Sequence, residues 1–149
     1  MSQIPQKELL KLRGCACFGL RKSARAVTQL YDRILRPSGL RGTQFTLLAV
    51  AAQNESMSIS NLADILVMER TTLTRNLRPL EKQGLVKIEP GQDPRSRQVS
   101  LTAAGGKRLA AALPLWDQAQ ALLTEGMGQP PLQRLLASLE ETVAIAKAV

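Results

Sequence analysis

Apolar residues recur at steps of three and four from Leu9 through Leu12, Ala16, Leu20, Ala24, Val27 and Tyr31 to Ile34. That spacing predicts one helix over residues 7–35, ended by Pro37, Gly39 and Gly42. At 1.5 Å per residue it runs on the order of 40 Å, more than a small domain covers, so its stripe requires another helix or a partner subunit. Thr43 is placed to cap a second helix, TQFTLLAVAAQ. Ser58 or Ser60 then precedes a short capped helix at 61–66. Val67-Met68 makes a turn, and Glu69 or Arg70 opens a helix that stops at Gly84. Its apolar positions are Leu73, Leu77 and Leu80, and Pro79 should bend it by removing the bond to the Arg75 carbonyl.

After Gly84 the period shortens to two. Residues 85–89 and 98–102 read as strands around the polar, turn-rich Pro90-Gly91-Gln92-Asp93-Pro94-Arg95-Ser96-Arg97, a β-hairpin. Thr102 caps a helix of about residues 103–126, and Pro130 starts a last one with Leu132, Leu136, Leu139 and Val143 at helical steps. The fold class is therefore mainly α with a small β-hairpin wing: a winged helix-turn-helix plus a helical dimerisation region. The 149 residues are expected to form a single domain, with flanking helices at about 7–36 and 103–149 around a winged-helix lobe at about 43–102.

Composition narrows the chemistry. The chain is 44% hydrophobic, enough for a real core, and carries 20 Lys and Arg against 12 Asp and Glu, a net charge of +8. It has no His, which excludes His-based acid–base catalysis, Ser-His-Asp and Cys-His nucleophile systems, and His-ligated metals. Two cysteines are too few for a Cys-only zinc site or a disulfide scaffold. Only Phe18, Tyr31, Phe45 and Trp116 are aromatic, which argues against a stacked single-strand platform. No catalytic residue, metal or cofactor is expected. With no export signal and no long apolar run, the chain is expected to be cytoplasmic and its thiols reduced.

A basic balance raises the prior for nucleic acid, yet its distribution is uneven. Residues 1–42 carry nine Lys and Arg against two acids, and residues 70–97 carry seven against three. In the helix at 69–84 the face opposite the leucines offers Thr71, Thr72, Arg75, Asn76 and Arg78. A B-DNA major groove admits one α-helix, so such a face can reach base edges, Arg75 suiting guanine O6/N7 or a phosphate. Read alone, the same face is simply a solvated helix surface. The hairpin changes that balance, because Arg95 and Arg97 sit on an exposed tip that suits the narrow minor groove. Asp93 is expected to brace one of these guanidiniums.

Several segments together resemble the MarR family of bacterial transcription regulators. They are Ser60-Asn61-Leu62-Ala63, Glu69-Arg70-Thr71-Thr72-Leu73-Thr74-Arg75, Leu80-Glu81-Lys82-Gln83-Gly84-Leu85-Val86, Asp93-Pro94-Arg95-Ser96-Arg97 and Val99-Ser100-Leu101-Thr102-Ala103-Ala104-Gly105. The D-x-R-x-R wing followed by L-T-x-x-G is the more specific part. The resemblance implies a homodimer on a pseudo-palindromic double-stranded operator, simplest as a repressor, released by a small ligand or an oxidant. Its DNA-binding residues would be Ser60, Thr71, Thr72, Arg75, Asn76, Arg78, Arg95 and Arg97.

Two further groups stay open. Phe18, Arg21 and Arg25, with Trp116 from the fifth helix, either line a pocket for an aromatic or anionic effector or are, respectively, a solvated basic face or DNA-phosphate contact and a core tryptophan. Cys15 and Cys17 are either redox sensors, as some members of the resembled family are, or small residues packed near a dimer interface. Two apart on a helix, they point about 200° from each other and do not readily bond. The rivals of other classes are a thiol enzyme on these cysteines, which lacks a His partner, and a DNA binder without sequence preference.

Overall fold

Leucines from four helices and a valine from the sheet close one core between a helical base and a three-stranded sheet. Leu35, Leu48, Leu62, Leu73, Leu77, Leu80 and Val99 are all at zero exposure. The computed structural model describes residues 4–149. The helices are α1 (Gln6–Lys11), α2 (Ala16–Leu35), α3 (Gly42–Ala51), α4 (Ile59–Leu66), α5 (Arg70–Lys82), α6 (Ala103–Met127) and α7 (Gln129–Lys147). The strands are β1 (Met57–Ser58), β2 (Val86–Pro90) and β3 (Arg97–Leu101), antiparallel in the order β1-β3-β2. Met57 faces Val99, and Ile88 faces Val99 from the other side.

The single helix expected over residues 7–35 is two helices. Leu12–Gly14 tightens into a 3-10 turn and Cys15 turns extended, at φ −69° and ψ 113°. Gly14, among the weakest helix formers, stands at that break. Cys15 therefore precedes α2 and Cys17 lies in its first turn, so the expectation that both share one helix is corrected.

Helix α3 also starts differently from the expectation, at Gly42 instead of Thr43. Its orphan N–H groups find other acceptors: Gly42 N–H donates to Asp32 Oδ1 at 2.7 Å and Arg41 N–H to Gln44 Oε1 at 3.0 Å. Between α2 and α3, Pro37 stops the helix, the Ser38 hydroxyl donates to the Leu35 carbonyl, and Gly39 takes φ +75°.

The other caps follow the sequence. Ser58, not Ser60, caps α4 by accepting Asn61 N–H at 3.0 Å. Thr102 caps α6 by accepting Gly105 N–H at 3.0 Å while donating to the Gly84 carbonyl. Gly105 is demanded by packing, since a Cβ there would collide with the Leu85 carbonyl where α6 leaves the hairpin. Helix α5 continues past Pro79 to Lys82.

Candidate nucleic-acid interface

The turn between α4 and α5 sets the presentation of α5. Val67 occupies the left-handed region at φ 51°, a conformation that costs a β-branched residue about 1–3 kcal/mol. Met68 N–H closes back on the Ala63 carbonyl at 2.9 Å, and Glu69 is extended. The chain thus redirects within three residues and α5 starts at Arg70.

One face of α5 is anchored and the other is open. Leu73, Leu77 and Leu80 are fully buried, whereas Arg70, Thr71, Arg75 and Arg78 are exposed. Arg70, Thr71, Thr74, Arg75 and Arg78 line a shallow depression along the helix, three guanidiniums with no carboxylate among them. The sequence reading missed Arg70 and Thr74; the i, i+4, i+8 row of Arg70, Thr74 and Arg78 was the available signal. Thr72 is half-buried. Asn76 is less free than expected: it is half-buried, with its amide toward Met68 Sδ at 4.0 Å. Ser60 lies half-buried in the first turn of α4.

The wing tip is a closed turn. Gly91 N–H donates to the Ser96 carbonyl and Ser96 N–H to the Asp93 carbonyl, each at 2.9 Å. The expected brace is corrected here. Asp93 Oδ1 accepts the Arg95 backbone N–H at 2.8 Å, and neither Arg95 nor Arg97 forms an ion pair among the described residues. A short acceptor two residues from a backbone donor makes an Asx turn, which outcompetes a long-range hold on a flexible guanidinium. Arg95 stands exposed at the tip; Arg97 is exposed within β3, opposite Pro90.

The proposed effector group does not assemble within the chain. Trp116 packs on Phe45, ring centroids 6.1 Å apart and planes 11° from parallel. Helices α2 and α6 run antiparallel: Tyr31 bonds to Gln120, and Arg108 packs against Gly39, just past the end of α2. Phe18 lies thirteen residues before Tyr31 in α2, about 20 Å along the axis, while Trp116 lies beyond Gln120 toward the opposite end. Phe18 instead joins Leu9, Leu12, Arg13 and Cys15 around an apolar depression, and Arg21 and Arg25 are exposed. Both cysteines are free and exposed.

The MarR family model matches residues 40–96. The chain is 43% identical to the M. tuberculosis transcriptional regulator MosR, whose crystal structure is in complex with DNA; the match covers 89% of this chain and 98% of that one, with a TM-score of 0.79. The chain belongs to the MarR family. It is thereby a DNA-binding transcriptional regulator of MarR type, not an enzyme. A second MarR-like structure, the transcriptional repressor CouR bound to a 23-mer DNA duplex, is 26% identical over 95% of this chain and 99% of that one, with a TM-score of 0.79. The organic hydroperoxide resistance transcriptional regulator of Bacillus subtilis is 30% identical over 97 residues, which span 64% of this chain and 66% of that relative, just under two thirds of its length. Among the described residues no helix is long and apolar enough to cross a membrane.

Proposed function

We propose that this MarR-type chain is a cytoplasmic repressor that binds a pseudo-palindromic operator as a homodimer and leaves it when a small effector binds. Residues 43–102 are the reading lobe, and the helices within 7–36 and 103–149 pair the subunits. The observation that carries the reading is the open face of α5. Exposed Arg70, Thr71, Arg75 and Arg78 stand opposite three fully buried leucines. A polar row anchored in this way keeps its guanidiniums available for base edges and phosphates. Thr72, Asn76 and Ser60 support its edges, and Arg95 and Arg97 extend it into the flanking minor groove.

Pairing is supported by apolar surface that one chain leaves open. Helix α1 buries no residue and α7 buries only Leu132. Leu9, Leu10, Leu12, Leu113, Leu122, Leu136 and Ile145 are each at least 47% exposed. Terminal helices with this much uncovered leucine need a symmetric partner, and two-fold symmetry sets the two α5 helices about 34–36 Å apart.

Selection of bound duplexes from a random pool tests the reading. A recovered site with half-sites about 10–10.5 bp apart, bound roughly 10³-fold or more tighter than random duplex, is expected. Equal affinity for both would replace it with a DNA binder lacking sequence preference.

A second reading, release by oxidation, is supported by the exposure of both thiols and by the place of Cys15 at the joint between α1 and α2. A hydroperoxide would oxidise a thiolate to a sulfenic acid and leave as the alcohol. Operator release by cumene hydroperoxide in the wild type but not in Cys15→Ser/Cys17→Ser is expected; release in both, or in neither, overturns this reading.

A further inference from the structure

Most of the chain's positive charge lies outside α5 and the wing. Nine of the 20 Lys and Arg fall within residues 1–42. At the corner where α2 gives way to α3, part of that excess converges. A cleft of about 420 Å³ is lined by Asp32, Arg33, Arg36, Gly39, Leu40 and Arg41. Beside the cleft, Arg108 of α6 packs against Gly39, its Nη1 2.9 Å from where a Cβ there would sit. Gly39 is at φ +75°, so the residue that permits the turn also admits the guanidinium against the backbone.

These four arginines have no acidic partner. The ion pairs among the described residues are Lys11–Glu8 and Lys87–Glu89. The one carboxylate in the cleft, Asp32, has an oxygen occupied by Gly42 N–H at 2.7 Å. Leu40, 2% exposed, is buried beneath. Arg33 of α2, Arg36 of the turn after it and Arg41 just before α3 line one concavity, with Arg108 beside it. A rigid duplex backbone meets ridges, whereas a hollow of this size lies within the roughly 300–1,000 Å³ range of small-molecule sites. Guanidinium forks match phosphate oxygens in bidentate fashion.

We propose that this α2–α3 corner cleft binds a small phosphate-bearing anion, a phosphomonoester or diphosphate group held by Arg33, Arg36, Arg41 and Arg108. The inference deepens the effector part of the proposed function by naming the ligand's chemical class. The cleft lies where the end of α2 in the base meets the start of α3 in the reading lobe, beside Arg108 of α6. An anion bridging them fixes the angle at which the lobe leaves the base, and so the separation of the two α5 helices in a dimer.

Calorimetric titration of the full chain with inorganic pyrophosphate tests it. The titration is run at about 0.15 M ionic strength, where attraction between exposed charges fades beyond about 8 Å. One saturable site per chain is expected. Arg36→Gln and Arg41→Gln, both at exposed positions, should each weaken it about tenfold or more, as removal of a charge-assisted hydrogen bond does. Arg108→Gln should do the same, and Lys7→Gln, on α1, should leave it within about twofold. Absence of a saturable site, or equal weakening by Lys7→Gln and Arg36→Gln, overturns the inference. So does loss of operator affinity in Arg36→Gln/Arg41→Gln with unaltered pyrophosphate binding, which would give the cleft to the DNA backbone. Operator affinity measured in parallel separates the two claims, since an intact operator complex without pyrophosphate binding leaves the DNA-binding reading standing.

Discussion

The Tyr31 hydroxyl donates to Gln120 Oε1 at 2.6 Å, joining α2 to α6 across 89 residues of sequence. Both side chains are half-buried, so the bond is partly shielded from water. Burial pushes the Tyr31 phenol above its ordinary value of 10.0. The folded state therefore holds its proton more tightly than the unfolded chain. The stabilisation is full below about pH 10 and is lost as pH climbs from there through the raised folded value. Tyr31→Phe should cost about 0.5–1.5 kcal/mol at neutral pH. Its melting temperature should fall less steeply than that of the wild type above about pH 10; parallel alkaline limbs would contradict the assignment.

The Asp93 carboxylate shapes the wing through the Arg95 backbone, not through its side chain. Asp93→Ala should leave global stability within about 0.5 kcal/mol, as exposed positions do, while weakening operator binding through a looser tip. Arg95→Ala and Arg97→Ala should each flatten the dependence of log K on log salt, by about 0.9 for every phosphate left without its cation. An unaltered slope in either variant would take that arginine off the phosphates.

The anchored face of α5 carries the lobe's stability. Leu77 is at zero exposure among the core leucines. Leu77→Ala should cost about 2–5 kcal/mol, read as a lower urea midpoint. A loss under about 1 kcal/mol would mean that the helix is not packed by this face.

The parts legible in the sequence are those fixed locally. Helices α4 and α5 and the hairpin follow from leucine spacing, from Ser58 and Thr102 as caps, and from glycine at position 84, which takes φ +69°. The parts missed depend on distant partners or on small biases. Gly14 is tolerable in a helix, so the apolar spacing runs through the break before α2 unmarked. The start of α3 depends on Asp32, ten residues upstream. Strand β1 has only two residues, too few for a period to register. Phe18 and Trp116 do not come together within one chain because helical phase gives the side of a helix but not the level at which its neighbour crosses. Arg70 opens α5, and a residue at a helix mouth reads as a boundary before it reads as part of the exposed face.

The uncovered leucines of α7 give a test of pairing. Leu136 is 49% exposed, and Leu136→Asp should convert a dimer into a monomer by sedimentation velocity and reduce operator affinity with it. A wild-type chain that sediments as a monomer at operator-binding concentrations would contradict the paired arrangement.

The most direct test of the central claim is the affinity of Arg75→Ala for the selected operator and for operators altered one base pair at a time. A loss of about 1–3 kcal/mol, with discrimination relaxed at one position in each half-site, is the expected result. An unchanged base preference at every position, with or without a uniform loss, would show that α5 does not read sequence through Arg75.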